Sequence, residues 1–277
     1  MTKGKRRPAP GRPDAHVRNC ILAALPRAEY RRCAPSLERV PLELRQLLFD
    51  VDEPIAHVYF CESAVVSVVS IMSDGTAVET ATVGNEGMVG LPVFHGVDRT
   101  AAQAFCQIPG EALRMTTSAF QAELRHQGAL GMLLGRYAEA MFTQVAQSSA
   151  CNRVHPMRER CARWLLTTHD RVGGDEFPLT HRFLAQMLGV RRATVTEAAG
   201  SLQEAGLIEY RMGRVLVLDR LGLETASCEC YAIIRRAFGH LLAAHVPPNP
   251  LAGVPTSKGD KSLAKSPKPR KQRGAGS

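Results

Sequence analysis

Apolar positions change their period twice along the chain, and each change marks a boundary between kinds of structure. From Ala56 to Val83 they fall in short, valine-rich runs, Ala56–Phe60, Ala64–Ile71 and Ala77–Val83. Runs this short and β-branched predict strands. Ser73-Asp74-Gly75 separates the last two and has the chemistry of a tight turn. Two further strand signals, AQAFCQI (102–108) and EALRM (111–115), flank Pro109-Gly110. GNEGMVGLPVFHG, from Gly84 to Gly96, is glycine-rich and reads as a loop. The whole predicts an antiparallel β domain of roughly 70 residues. A short helix at about 17–25 and a second segment reaching Leu37 precede it.

The period then becomes helical. Leu130, Leu133, Leu134, Tyr137, Ala138, Met141, Phe142 and Val145 follow i, i+3, i+4, i+7 spacing, the mark of a long amphipathic helix. Its apolar stripe is wide. Part of it should cover its own domain, and a helix between two domains is also a natural two-stranded seam. Leu130, Leu134, Tyr137, Met141 and Val145 are therefore read as the dimer-helix positions. His155-Pro156 ends the helix and places a hinge near 152–155, because proline removes a helical donor and restricts the residue before it. A further helix, 157–169, carries Cys161, Trp164 and Leu165, and Gly173-Gly174 breaks it.

LTHRFLAQMLGVRRATVTEAAG contains the most specific pattern. Counted from His181, a pair of short packed helices needs apolar residues at positions 4, 8, 10, 15 and 18, which are Leu184, Leu188, Val190, Val195 and Ala198. It needs a small residue at position 5, Ala185, and a left-handed turn at position 9, Gly189. All seven requirements are met, which predicts a helix-turn-helix. Thr180 is placed to cap its first helix and Gly206 to end its second. Arg191, Arg192, Ala193, Thr196, Glu197 and Gly200 then face outward. A solvated helix start favours acids in its first turn; two arginines there point to an anion outside the chain. Arg192 can bond guanine O6 and N7 in the major groove of double-stranded DNA, and Glu197 can accept from a cytosine amine. With Thr196, these are the candidate base readers. Thr180, Arg191 and Thr194 are candidate phosphate contacts. LIEY-RMGR-VLVL reads as a hairpin wing, whose tip brings Arg211 and Arg214 toward neighbouring phosphates.

Charge and composition narrow the reading. The 277 residues suit two domains, and the formal net charge is +9. Residues 1–18 carry Lys3, Lys5, Arg6, Arg7, Arg12 and Arg18 against Asp14, net +5. Residues 247–277 carry Lys258, Lys261, Lys265, Lys268, Arg270, Lys271 and Arg273 against Asp260, net +6. The body between is therefore −2 (that is, 9 − 11), and the basicity belongs to tails whose composition reads as disordered. No stretch reads as a secretory signal or a membrane span, so the expected location is the cytoplasm, away from membranes. Eight cysteines are scattered without a CxxC pair. Cys228-Glu229-Cys230 can hold a metal or react with oxidants, but it reads as incidental small residues on a terminal helix, and no metal is expected. Ser/His/Asp order, HExxH, P-loop and Rossmann patterns are all missing and the histidines are isolated, so no catalytic residues and no enzyme are expected.

The order of parts, with ERCARWLL followed by the segment 179–219, resembles the Crp–Fnr superfamily of bacterial transcription regulators over roughly residues 40–222. The resemblance implies a cyclic-nucleotide-binding-type β-roll, a homodimer through the long helix, a winged helix-turn-helix, and RNA polymerase as a further partner. In that family an Arg-Glu pair and a later Arg read bases; Arg192, Ala193 and Glu197 stand at the matching positions, so only the first is kept. Where the family has its phosphate cassette, this chain has Gly87-Met88-Val89-Gly90-Leu91 and then, with one extra residue between, Arg99-Thr100, which makes Gly87, Gly90, Arg99 and Thr100 the candidate effector-binding residues that the resemblance implies. Met88 stands where the family has its ribose-binding Glu, and Glu86 is out of register, so a cyclic nucleotide is not the expected cofactor.

The expected fold class is α+β: an N-terminal antiparallel β-roll, a long dimerisation helix and a C-terminal winged helix-turn-helix. The expected parts are a tail (1–18), the β-roll (19–128), the linker helix (129–152), the winged helix-turn-helix (153–222), a C-terminal helix (223–246) and a second tail (247–277). The function these imply is sequence-specific binding of a homodimer to a near-palindromic site, with the β-roll holding a cyclic nucleotide, another small effector or no ligand as the open alternatives. The alternative is a nucleotide- or partner-binding signalling or scaffold protein that uses its helix-turn-helix for protein contact.

Overall fold

Short helices α1 (Cys20–Ala23) and α2 (Arg27–Cys33) lead into strands β1 (Glu38–Leu42), β2 (Leu47–Phe49), β3 (His57–Cys61), β4 (Val65–Ile71) and β5 (Ala77–Val83). Then come β6 (Met88–Val89), α3 (Leu91–Phe94), β7 (Ala102–Ile108), β8 (Gly110–Thr116) and α4 (Thr117–Leu124). The structure, a computed structural model, describes residues 17–242. The tails predicted at 1–18 and 247–277 lie outside the described residues except for Val17 and Arg18, as do residues 243–246 of the predicted C-terminal helix.

Eight strands make two four-stranded antiparallel sheets, ordered β1-β8-β3-β6 and β2-β7-β4-β5, around one core that includes Phe60, Phe120 and Tyr137. The fold is mixed α and β, with its antiparallel sheets in the N-terminal half. The run VVSVVSI forms β4 and is apolar on both faces for a reason. Val66 and Val68 point into the roll, while Val65 and Val69 pack with Ala77 and Ile108 against the helices of the C-terminal half. The expected loop 84–96 instead contains β6, which pairs with β3, and α3. Met88 and Val89 are fully buried, and that packing outweighs the local glycine content.

The long helix α5 (Ala129–Val154) follows, and His155 leaves it in an extended conformation ahead of Pro156. Beyond lie α6 (Met157–His169), β9 (Glu176–Pro178), α7 (His181–Met187), α8 (Arg192–Glu204), β10 (Ile208–Arg211), β11 (Arg214–Val217), α9 (Arg220–Ala226) and α10 (Glu229–Leu242). The C-terminal helix predicted at 223–246 is thus two helices, broken where Ser227 turns extended. The second folds back along α5, with Phe238 against Tyr137.

The dimer-helix assignment needs correction. Leu130, Leu134, Tyr137 and Met141 are buried in the roll's own core; of the five, only Val145 is exposed. The exposed large apolar side chains of α5 are Met132, Phe142 and Val145, with Val154 at its last residue, and Phe142 is 69% exposed. Gly87 is held against the buried face, since a Cβ there would sit 2.2 Å from the Tyr137 ring. The Tyr137 hydroxyl donates to the Met88 carbonyl at 3.0 Å, so the ring cannot swing aside without losing that bond. Gly87→Ala is therefore expected to cost about 1–3 kcal/mol through overpacking. Denaturant unfolding measures this, and an unchanged midpoint would show that the contact is loose.

Polar contacts also tie the two halves. The half-buried Glu79 carboxylate accepts from Ser67 Oγ (2.6 Å), Thr82 Oγ1 (2.9 Å) and, across the boundary, Trp164 Nε1 (2.7 Å). Arg171 of the C-terminal half pairs with Glu86 at 2.7 Å.

Candidate nucleic-acid interface

The helix-turn-helix forms from local rules. The Thr180 hydroxyl accepts from the Phe183 amide (3.1 Å) and caps α7. Gly189 turns the chain at φ +64, where a Cβ would be strained. Arg191 is the extended N-cap residue of α8, with no side-chain capping bond, and the first turn holds no acid. Leu184, Ala185, Leu188, Val195 and Ala198 are buried together, and Val190 is half-buried against them. At the far end Gly206 N–H bonds the Gln203 carbonyl (2.9 Å) and Leu207 N–H bonds the Leu202 carbonyl (3.1 Å), around φ +70 at Gly206. This closes α8 with its last carbonyls satisfied.

That scaffold leaves Arg191, Arg192, Ala193, Thr196 and Glu197 exposed on one rim, with Thr194 half-buried beside them. Among the described residues, neither arginine has an acidic partner. Two unpaired cations at the positive end of a helix dipole are unfavourable alone and create a site for an anion. Thr196 is differently employed. Its hydroxyl donates to the Arg192 carbonyl at 3.0 Å and lies 3.1 Å from His181 Nδ1, so its proton is turned back into the helix. In this arrangement it offers a base edge only its acceptor side. The Thr180 hydroxyl accepts as the cap but keeps its proton for a phosphate.

His181 enters the sequence pattern only as a starting position. In the fold it links α7 to α8 through Thr196, stacks edge-on against Tyr210 at 4.4 Å, and buries Nε2 without a hydrogen-bond partner. Burial, and then the charge of Arg192, lower its pKa below the ordinary 6.5. A base with a depressed pKa takes its proton more readily when unfolded. Its stabilising contribution is complete above 6.5 and is lost as pH falls through the folded value. An NMR titration of the His181 ring should give a midpoint below 6.5; a midpoint above it would contradict the assigned environment.

The wing is a two-residue hairpin in which Met212 and Gly213 both have positive φ, and Arg211 faces Arg214 across it. The two arginines are not free cations. Arg211 pairs with Glu209 and Arg214 with Glu176, each at 2.5 Å. Both pairs are exposed, and such pairs contribute only about 0–1 kcal/mol, so a phosphate can replace either acid.

In the β-roll the candidate effector residues separate. A cavity of about 310 Å³ lies between the roll and α5, and Gly90 and Thr100 line it with Met88, His95, Phe142 and Val145. Gly87 is instead packed on Tyr137. Arg99 is exposed, and its guanidinium donates to the Asp52 carbonyl at 2.5 Å. None of the cavity's lining residues is Asp, Glu, Lys or Arg, and Glu86 is held by Arg171. The sequence pattern named a cassette; the cavity's apolar lining shows only once the strands are assembled.

Residues 159–226 match the family model described as a Crp-like helix-turn-helix domain. A search of curated proteins gave no match. Among solved structures, the chain is similar to FixK2 from Bradyrhizobium japonicum, at 17% identity and TM-score 0.60, over 69% of this chain and 98% of that one. It is similar to a CRP-family transcriptional regulator from Thermus thermophilus, at 21% identity and TM-score 0.56, over 68% and 96%. It is also similar to the c-di-GMP responsive global regulator CLP of Xanthomonas campestris, at 18% identity and TM-score 0.52, over 69% and 98%. The helix-turn-helix that presents Arg191 and Arg192 is therefore a Crp-like domain, and the chain that carries it has the fold of the Crp–Fnr superfamily of transcription regulators.

Proposed function

We propose that the chain is a sequence-specific DNA-binding regulator that works as a homodimer on a near-palindromic site. The observation that carries this reading is the exposed rim of α8, where Arg191 and Arg192 stand without acidic partners above a capped, well-packed helix pair. Arg192 and Glu197 read base edges; Arg191, Thr180 and Thr194 hold phosphates; the wing arginines join them on exchanging their acids for the backbone. The dimer seam runs along the outward stripe of α5, through Met132, Phe142 and Val145, where Gly131, Gly135 and Ala138 allow close approach. No helix among the described residues is long and apolar enough to cross a membrane.

The effector, in this reading, is a largely apolar small molecule in the cavity beside α5. A cyclic phosphate there would lose its hydration with no charged side chain on the wall to replace it. Phe142 and Val145 belong both to that wall and to the outward stripe, so filling the cavity bears directly on the dimer seam.

Gel retardation over a salt series tests the DNA reading. Affinity should fall steeply and linearly in log–log form, because each phosphate contact releases counterions on binding. The double variant Arg191→Ala, Arg192→Ala carries the same tails and separates the rim from their unspecific attraction. Equal affinity and slope for the two chains would assign the binding to the tails and overturn the reading.

A further inference from the structure

The break between α9 and α10 brings two cysteines beside the end of α5. Cys151 lies in the last turn of α5, His155 follows that helix, and Cys228 and Cys230 stand at the start of α10. The three thiols are buried and form a cluster of their own, apart from both main cores. Cys151 Sγ is 3.5 Å from Cys228 Sγ, and Cys230 Sγ is 3.6 Å from His155 Nδ1. All four donor atoms lie within 4.8 Å of one another.

The 3.5 and 3.6 Å separations are close to those of a tetrahedral site, and the remaining pairs, all within 4.8 Å, are within about 1 Å of them. Bonds of about 2.3 Å to sulfur and about 2.0–2.1 Å to nitrogen put ligand sulfurs about 3.7–3.8 Å apart, and sulfur and nitrogen about 3.5–3.6 Å apart. A disulfide needs about 2.05 Å between sulfurs, and all eight cysteines are free. The surroundings also suit a metal. His155 turns its other nitrogen, Nε2, to the Glu229 carboxylate at 3.2 Å, the outer contact that orients ligating imidazoles. Gln147 Nε2 donates to Cys230 Sγ at 3.1 Å. The charges of Arg160 and Arg163 act on Cys151 and offset the excess negative charge of three thiolates around one divalent ion.

We propose that Cys151, His155, Cys228 and Cys230 form a mononuclear Cys3His site for a divalent, thiophilic metal, with zinc as the natural occupant. Ligand softness and the closed four-donor set favour zinc over calcium or magnesium. The ion pins α10 to the segment 151–155, the hinge through which the long helix enters the DNA-binding domain, so its loss should loosen that hinge. This proposal departs from the sequence expectation that Cys228 and Cys230 are incidental.

The test is metal analysis of the full chain isolated under reducing conditions, with cobalt(II) substitution as the spectroscopic probe. One zinc per chain is expected, and cobalt should give tetrahedral d–d bands with thiolate charge-transfer absorption. Cys228→Ser should weaken metal binding by more than about 100-fold, and any cobalt still bound should show charge-transfer absorption reduced from three thiolates to two. Glu229→Gln, at an exposed position, should weaken it about 10- to 100-fold. Cys20→Ser, outside the cluster, should leave it unchanged. Reduced wild-type chain that binds no stoichiometric cobalt or zinc would overturn the proposal. Acid-labile sulfide with iron, a Cys151–Cys228 disulfide in the isolated protein, or equal metal affinity in the Cys20→Ser and Cys228→Ser variants would do the same.

Discussion

Replacing Phe142 with Glu should turn the chain from dimer to monomer and reduce affinity for a two-half-site duplex by about 10²- to 10⁴-fold. The side chain is 69% exposed on α5, between Val145 and the small residues that let a second helix approach. A carboxylate there would be buried without a partner in the seam, a cost that closely packed apolar side chains cannot offset. The fold itself should survive, because Phe142 faces away from the Leu134 and Tyr137 side of the helix. Sedimentation and retardation on one- and two-half-site duplexes check both parts. A variant that remains dimeric would move the seam elsewhere. A monomeric variant with undiminished affinity would remove the dimer from the recognition mechanism.

Arg192→Ala should cost about 1–3 kcal/mol of specific binding, a factor of roughly 5 to 150, and relax base preference at one position of each half-site. The loss should be confined to specific sequences. Arg191→Ala, by contrast, should weaken binding across sequences and flatten the salt dependence by about one phosphate. The contrast follows from position: Arg191 is the extended residue before α8, while Arg192 begins the helix, five residues before Glu197 on the exposed rim. An Arg192→Ala chain with unaltered affinity and preference would refute its role as a base reader.

What was legible in the sequence was whatever local sterics dictate. The turn at Gly189, the cap at Thr180 and the end at Gly206 each require a particular residue, and the structure places each of them in that role. The strands from β3 to β5 were legible because β-branched runs broken by turns have few alternatives. The dimer face was misread for a physical reason. Both sides of α5 are apolar, and a period of 3.6 shows that a face is greasy without showing what it meets. Leu130, Leu134 and Tyr137 meet the chain's own roll, and only assembly reveals Met132 and Phe142 on the other side. The loop expectation at 84–96 failed because the glycines there serve close packing, as at Gly87 against Tyr137. Of the Cys3His cluster the sequence showed only Cys228 and Cys230 as a pair able to hold a metal; Cys151 and His155 join them only when α10 folds back along α5.

The central claim, that the α8 rim enters the major groove as one of a symmetric pair, is tested most directly by selecting bound duplexes from a random pool with the full chain. The account predicts enrichment of an inverted repeat whose half-site centres lie about one helical turn, roughly 34–36 Å, apart. Enrichment of a single unrepeated element, or no enrichment over the input pool, would contradict it.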